Sequence, residues 1–286
     1  MTRLIDGLAR LTGDYDVLLC DVWGVIHNGR ESFPSACAAL ARWRAETGPV
    51  LLISNSPRPG PEVAAQLDGL AVPREAWTGI VTSGDATRGL LRERAPGPAW
   101  RIGPERDAPL YEGLGLTFSD LSEARFIACT GPNDDEVETP EDYRAVLTDA
   151  AARGLEMVCA NPDRVVQRGD RLIYCGGALA DLYERLGGRV AMAGKPFAPI
   201  YDLALSRAAS ARGRPVDRAS VLAIGDGLAT DIAGAQAQEL DRLFIAAGIH
   251  AAETRGPDGS LSRTAVEDLL DGAELSADFA MDDLAW

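Results

Sequence analysis

Five short stretches of this chain carry side chains that can do chemistry together: Asp21, the run Ser54-Asn55-Ser56, Gly194-Lys195-Pro196, Gly225-Asp226 and, five residues further, Asp231. They supply carboxylates, a hydroxyl with a loop of backbone N–H groups, and an amine. Such a set suits phosphoryl transfer. A carboxylate and a phosphate ester are both anionic, yet must approach to about 3 Å. Their repulsion has to be cancelled by a divalent cation and by fixed positive groups. Asp21 and Asp226 offer the hard oxygen ligands that Mg²⁺ takes. Lys195 can neutralise the phosphate and the Asp21 carboxylate together. Ser54 and the Asn55 backbone can donate to phosphate oxygens, and Asp21 can attack phosphorus as a carboxylate nucleophile.

The 28 basic residues are 27 arginines and one lysine, Lys195. A position kept as Lys in so Arg-biased a chain fits a need for a compact ammonium on a flexible stem rather than a planar fork. It also fits chance, and gains weight only from its neighbours.

Elements that can position these groups are visible in the hydrophobic pattern. Residues 16–20, 50–53, 79–82, 220–224 and 243–246 read as strands, the first ending at Asp21, the second at Ser54, the fourth at Gly225-Asp226. Residues 37–44, 61–67, 86–94, 196–212, 229–238 and 266–270 have helical spacing, and a last segment runs near Phe279. Strands alternating with helices predict a parallel sheet. Ligands bind outside the carboxyl ends of such strands, where these residues fall. The middle repeats the pattern on a smaller scale, with strands at 124–129 and 156–159 and helices at 140–152 and 177–186. Thr139 is a plausible cap before Pro140, and Gly187-Gly188 closes the second helix. The reading is an α/β core in two pieces, 1–98 and 190–286, interrupted by a smaller α/β insert over 99–189.

Composition excludes several classes. The 43 acidic residues leave a net charge of −15, which argues against a nucleic-acid partner and against an anionic membrane surface. With 46% hydrophobic and 25% charged residues, the acidity is not a signature of disorder. No apolar run reaches a membrane span, and the first residues lack a secretory signal. Cys20, Cys37, Cys129, Cys159 and Cys175 form no CxxC, so neither a zinc knuckle nor a disulfide framework is expected. A reduced, cytoplasmic setting fits.

The spaced residues resemble a known family. Asp21-Val22-Trp23-Gly24-Val25-Ile26 resembles the first motif of the haloacid dehalogenase superfamily, DxDG(T/V). Ser54 resembles the second, Lys195 the third, and Gly225-Asp226-Gly227-Leu228-Ala229-Thr230-Asp231 the fourth, GDxxxxD. Gaps of 33, 141, 31 and five residues keep the family's order. Ser-Asn-Ser, Gly-Lys-Pro, the long insert and the run Ala160-Asn161-Pro162-Asp163 are similar to its class IIA, NagD-like branch. The resemblance implies a Rossmann-like parallel-sheet core with a mobile α/β cap. It also implies Mg²⁺-dependent hydrolysis of phosphate esters through an aspartyl-phosphate. Metal would sit on Asp21, the backbone carbonyl of Trp23 and Asp226. Asp231 would hold a metal-bound water or orient Lys195. Asn161 and Asp163 would meet the leaving group. The substrate would be a small metabolite of the sugar phosphate, nucleotide or pyridoxal phosphate class, and a homodimer through the cap is an expected assembly.

One position departs from the family. The acid usually found two residues after the nucleophile is Trp23 here. General acid–base help of that kind is worth roughly 10²–10⁴-fold, and an indole cannot supply it. Three readings follow. The leaving group needs no acid, as in anhydride or phosphonate cleavage; another group such as His27 supplies the proton; or the chain binds a phosphorylated ligand with little turnover. His27 and His250 also read as loop or core histidines. Asn161 and Asp163 also read as a simple turn. Asn133-Asp134-Asp135-Glu136 lacks the spacing of a calcium loop and reads as a solvated acidic stretch. The five Trp residues read as packing.

Overall fold

The computed structural model describes residues 1–168 and 171–286. Its strands, in chain order, are β1 Arg3–Leu4, β2 Val17–Asp21, β3 Val50–Ser54, β4 Gly79–Thr82, β5 Ala99–Ile102, β6 Phe126–Cys129, β7 Glu156–Cys159, β8 Val165–Arg168, β9 Arg171–Tyr174, β10 Arg189–Met192, β11 Val221–Gly225, β12 Asp241–Ile245 and β13 Phe279–Met281. The chain divides into two compact units. The first is Met1–Ser54, Ala64–Val81 and Tyr201–Trp286; the second is Asn55–Val63 and Thr82–Ile200.

The first unit holds a seven-stranded sheet in the order β1-β13-β12-β11-β2-β3-β4. Its interior strand β2, Val-Leu-Leu-Cys-Asp, is buried along its whole length. That is why it reads as a continuous apolar run: both faces of a parallel sheet are covered. β2 pairs in parallel with β3 on one side and β11 on the other. From β2 the chain winds outward to β3 and β4, and from β11 it winds the other way to β12 and β13. The strand order therefore reverses between β2 and β11, the place where an open α/β sheet forms a crevice. Register sets Ile224 opposite Cys20, so Asp21 and Gly225-Asp226 leave adjacent strand ends together.

The helix expected over 229–238 is split. Leu228–Ile232 forms a π-type turn, and a regular helix covers only Ala233–Ala237. The cause is local. Ile232 N–H reaches back to the Gly227 carbonyl at 3.1 Å, while the Asp231 carboxylate accepts from Gly227 N–H at 3.0 Å. The widened turn keeps the Asp231 side chain beside its own strand end.

The second unit has a four-stranded sheet, β10-β7-β6-β5, with every pair parallel. Helices Arg144–Ala152 and Gly176–Arg185 pack on it through Leu147, Leu179 and Tyr183 against Ile127 and Met157. Thr139 does cap, in a reciprocal box with Asp142 that begins a short 3₁₀ turn. β10 pairs with β7, so this sheet runs past the boundary read at 189/190. Gly187 (φ +87°) and Gly188 stop the preceding helix, and a Cβ on Gly188 would fall 2.3 Å from the Tyr183 ring. The chain is turned straight back into the sheet. The antiparallel pair β8–β9 completes the unit. Among the described residues, no helix is long and apolar enough to cross a membrane. All five cysteines are buried thiols outside any disulfide.

Candidate active site

In the first unit, Asp21, Asp226 and Asp231 converge at the strand-order reversal. Each is 6% exposed, and their carboxylate oxygens lie within 4.8 Å of one another. Among the described residues this is the single group of three or more side chains able to hold a metal ion. Three buried carboxylates this close repel strongly unless positive charge is brought among them. The donor set is all oxygen and therefore fits a hard divalent cation.

Backbone atoms hold these acids in place. Asp226 accepts the Ile249 N–H at 2.8 Å. Two glycines press against the same carboxylate: a Cβ on Gly24 would lie 2.2 Å from Asp226 Oδ2, and one on Gly248 would lie 2.1 Å from it. Gly24 also has φ +81°, a conformation glycine adopts without strain. Asp231 is confined likewise, since a Cβ on Gly225 would fall 2.2 Å from its Cγ. Gly248 and Ile249 are the site residues that sequence reasoning missed. A glycine just past a strand end was the available hint for Gly248.

Trp23 and His27 lie on the loop after β2. The indole meets the imidazole edge to face at 5.0 Å, and a Cβ on Gly29 would fall 2.5 Å from the indole. His27 is 1% exposed and its Nδ1 accepts the Gly29 N–H at 2.9 Å. That acceptor role assigns the ring proton to Nε2. Burial pushes the pKa down to about 4, so the ring is neutral at pH 7. In the structure His27 ties the loop beneath Trp23 through this bond and the ring contact. His27→Asn, whose Oδ1 can replace Nδ1 as acceptor, is expected to lower kcat equally and modestly for an aryl and an alkyl phosphate. A proton donor would instead cost the alkyl ester about 10²–10⁴-fold more.

In the second unit, Asn55, Asp163 and Lys195 are drawn together. Lys195 N–H donates to Asn55 Oδ1 at 2.7 Å, and Asn55 Nδ2 donates to the Lys195 carbonyl at 3.1 Å and to Asp163 Oδ1 at 2.8 Å. Asn161 accepts the Asp163 N–H at 3.1 Å, which closes the Asn-Pro-Asp turn on itself. Ser54 ends β3 in the first unit, and Asn55 begins the second.

The remaining candidates are structural. His250 Nδ1 stands 3.3 Å from Glu253 Oε2. In the acidic stretch, Asn133 accepts the Gly103 N–H, while Asp135 pairs with Arg106 and Glu136 with Arg171. These contacts make it a pinned loop.

Known proteins resemble this chain along most of its length. A family model described as haloacid dehalogenase-like hydrolase matches residues 18–117, and a second, related hydrolase model matches 192–272. A crystal structure of a haloacid dehalogenase-like hydrolase from Brucella suis is 46% identical, covers 98% of this chain and 100% of its own, and superposes with a TM-score of 0.88. The D-glycerol 3-phosphate phosphatase of Mycobacterium tuberculosis is 30% identical over 84% of this chain, which spans 65% of that relative's length. The 5'-nucleotidase YutF of Bacillus subtilis is 25% identical over 90% of this chain and 97% of its own. Near-half identity along the entire length of a solved hydrolase, with the four motifs in their family order, shows that the chain belongs to the haloacid dehalogenase-like hydrolase family, in its class IIA branch.

Proposed function

We propose that this protein is a divalent-cation-dependent phosphatase acting on a small phosphorylated metabolite, of the sugar phosphate, nucleotide or pyridoxal phosphate class. The observation that carries the reading is the convergence of Asp21, Asp226 and Asp231 at the sheet's reversal point. Relatives named as a glycerol phosphate phosphatase and a nucleotidase support it. Asp21, Asp226 and the Trp23 carbonyl would hold the cation, with Mg²⁺ as the expected ion, which would neutralise charge on the phosphate and the acids. Asp21 attacks phosphorus, the ester P–O bond breaks, and the phosphoryl group is carried on the Asp21 carboxylate until water releases it. Lys195, Ser54 and the Asn55 backbone N–H bind phosphate oxygens, and Asp231 would support the cation site or orient Lys195. Asn161 and Asp163 would meet the leaving group. The acidic chain with five buried thiols suits a reducing cytoplasm.

Trp23 shapes the chemistry. Residue 23 cannot protonate the leaving oxygen, so a poor leaving group departs slowly. A panel of aryl phosphates, alkyl phosphates, anhydrides and phosphonates, assayed with Mg²⁺ or Mn²⁺ and with chelator, tests this. The expected result is cation-dependent phosphate release that rises steeply as the leaving group becomes more acidic. Release from no member of the panel would leave the second reading, a phospho-ligand binder that Trp23 has deprived of turnover.

A further inference from the structure

Asn55 is 3% exposed, and its side-chain amide is committed. Its two Nδ2 hydrogens go to the Lys195 carbonyl and the Asp163 carboxylate, and its Oδ1 takes the Lys195 N–H. The amide thus pairs with both backbone groups of Lys195, as a neighbouring strand would, across 140 residues of sequence. These partners also fix the orientation of the amide: Lys195 N–H accepts nothing and its carbonyl donates nothing, so a flipped Asn55 would lose both bonds. Gly194 makes the approach possible. A Cβ there would lie 2.7 Å from Asn55 Oδ1 and 2.4 Å from Ser83 Oγ. Lys195 itself is 2% exposed, so its backbone groups have little recourse to water if this pairing fails.

We infer that Asn55 is a positioning residue for Lys195, and that Asp163 acts on the lysine through Asn55 by holding its amide. The inference deepens the phosphatase reading and rests on it for the role of Lys195. Asn55 serves the phosphate through its backbone N–H, while its side chain sets where the lysine's main chain stands. Asp163 therefore ties the Asn-Pro-Asp turn of the second unit to the phosphate-binding lysine.

The chain's one lysine makes a direct test possible. Labelling with [¹⁵N-α]lysine gives one backbone amide signal, that of Lys195. Its hydrogen exchange and the kinetics with p-nitrophenyl phosphate are measured for wild type, Asn55→Ala, Asp163→Ala and Asp163→Asn. In Asn55→Ala the Lys195 amide is expected to exchange about tenfold faster or more, and kcat to fall about 100-fold with a much smaller rise in KM. Asp163→Ala is expected to move both quantities the same way. Asp163→Asn, which keeps an Oδ1 acceptor, recovers most of what alanine lost. Unchanged Lys195 exchange in Asn55→Ala overturns the inference, and so does an Asp163→Asn variant as damaged as Asp163→Ala. If Asn55→Ala does not fold, the Asp163 pair decides alone. A wild type that releases no phosphate sinks the phosphatase reading but not the positioning of Lys195, which exchange still reports.

Discussion

Asp21→Asn is expected to lower phosphate release from p-nitrophenyl phosphate by on the order of 10⁴-fold or more, with the fold intact. The amide has the shape of the carboxylate, and β2 keeps its pairing with β3 and β11 through backbone atoms. What is lost is the nucleophile and one of three crowded negative charges. Acid-quench trapping of radiolabelled phosphate should mark wild type and not the variant. Turnover that persists in purified Asp21→Asn at a tenth of the wild-type rate would remove Asp21 from the mechanism.

Gly248→Ala should be nearly as harmful for a different reason. A Cβ at this position would lie 2.1 Å from Asp226 Oδ2 and 2.3 Å from Asp226 Cβ, distances no real atoms tolerate. Asp226 has to yield, and in moving it stretches its bond from Ile249 N–H and leaves the acidic cluster. Altering a group that orients a metal ligand typically costs 10–100-fold in metal affinity. The expected result is a rise of about that size in the Mg²⁺ or Mn²⁺ concentration giving half-maximal activity. Overpacking adds a stability loss of roughly 1–3 kcal/mol. Gly248 has no positive φ, so alanine tests the contact alone; at Gly24, φ +81° would add backbone strain. Gly272→Ala, where a Cβ meets nothing within 4 Å, is the control. An unchanged cation requirement in Gly248→Ala would show that Asp226 does not hold the ion.

Much of the core was legible because buried parallel strands are continuous apolar runs. β2 and β3 end on Asp21 and Ser54, and β11 ends one residue before Asp226, so these three stood out together. The edges of the second sheet were harder. β5 is Ala-Trp-Arg-Ile with two half-buried central residues, and β10 is a partly exposed edge, so neither shows a clean period. β8 and β9 mix charged and apolar residues in four-residue strands. The cradle of Asp226 and the Asn55–Lys195 pairing escaped for another reason. Their partners are main-chain atoms, whose chemistry is the same under every side chain, reached across 23 and 140 residues. For His27 the sequence offered both a proton source and a loop or core histidine; its burial and its bond from Gly29 N–H are what the structure adds.

The adjacency of β2 and β11 has a cost in biosynthesis. β2 emerges from the ribosome early, but its neighbour β11 begins at Val221, about 200 residues later. At roughly 5–20 residues per second, translation leaves one flank of Val-Leu-Leu-Cys without its native partner for tens of seconds. An apolar strand with an open flank is a template for pairing with other nascent chains. Slowed elongation over the second unit should therefore lower soluble yield, and co-expressed holdase chaperones should restore it.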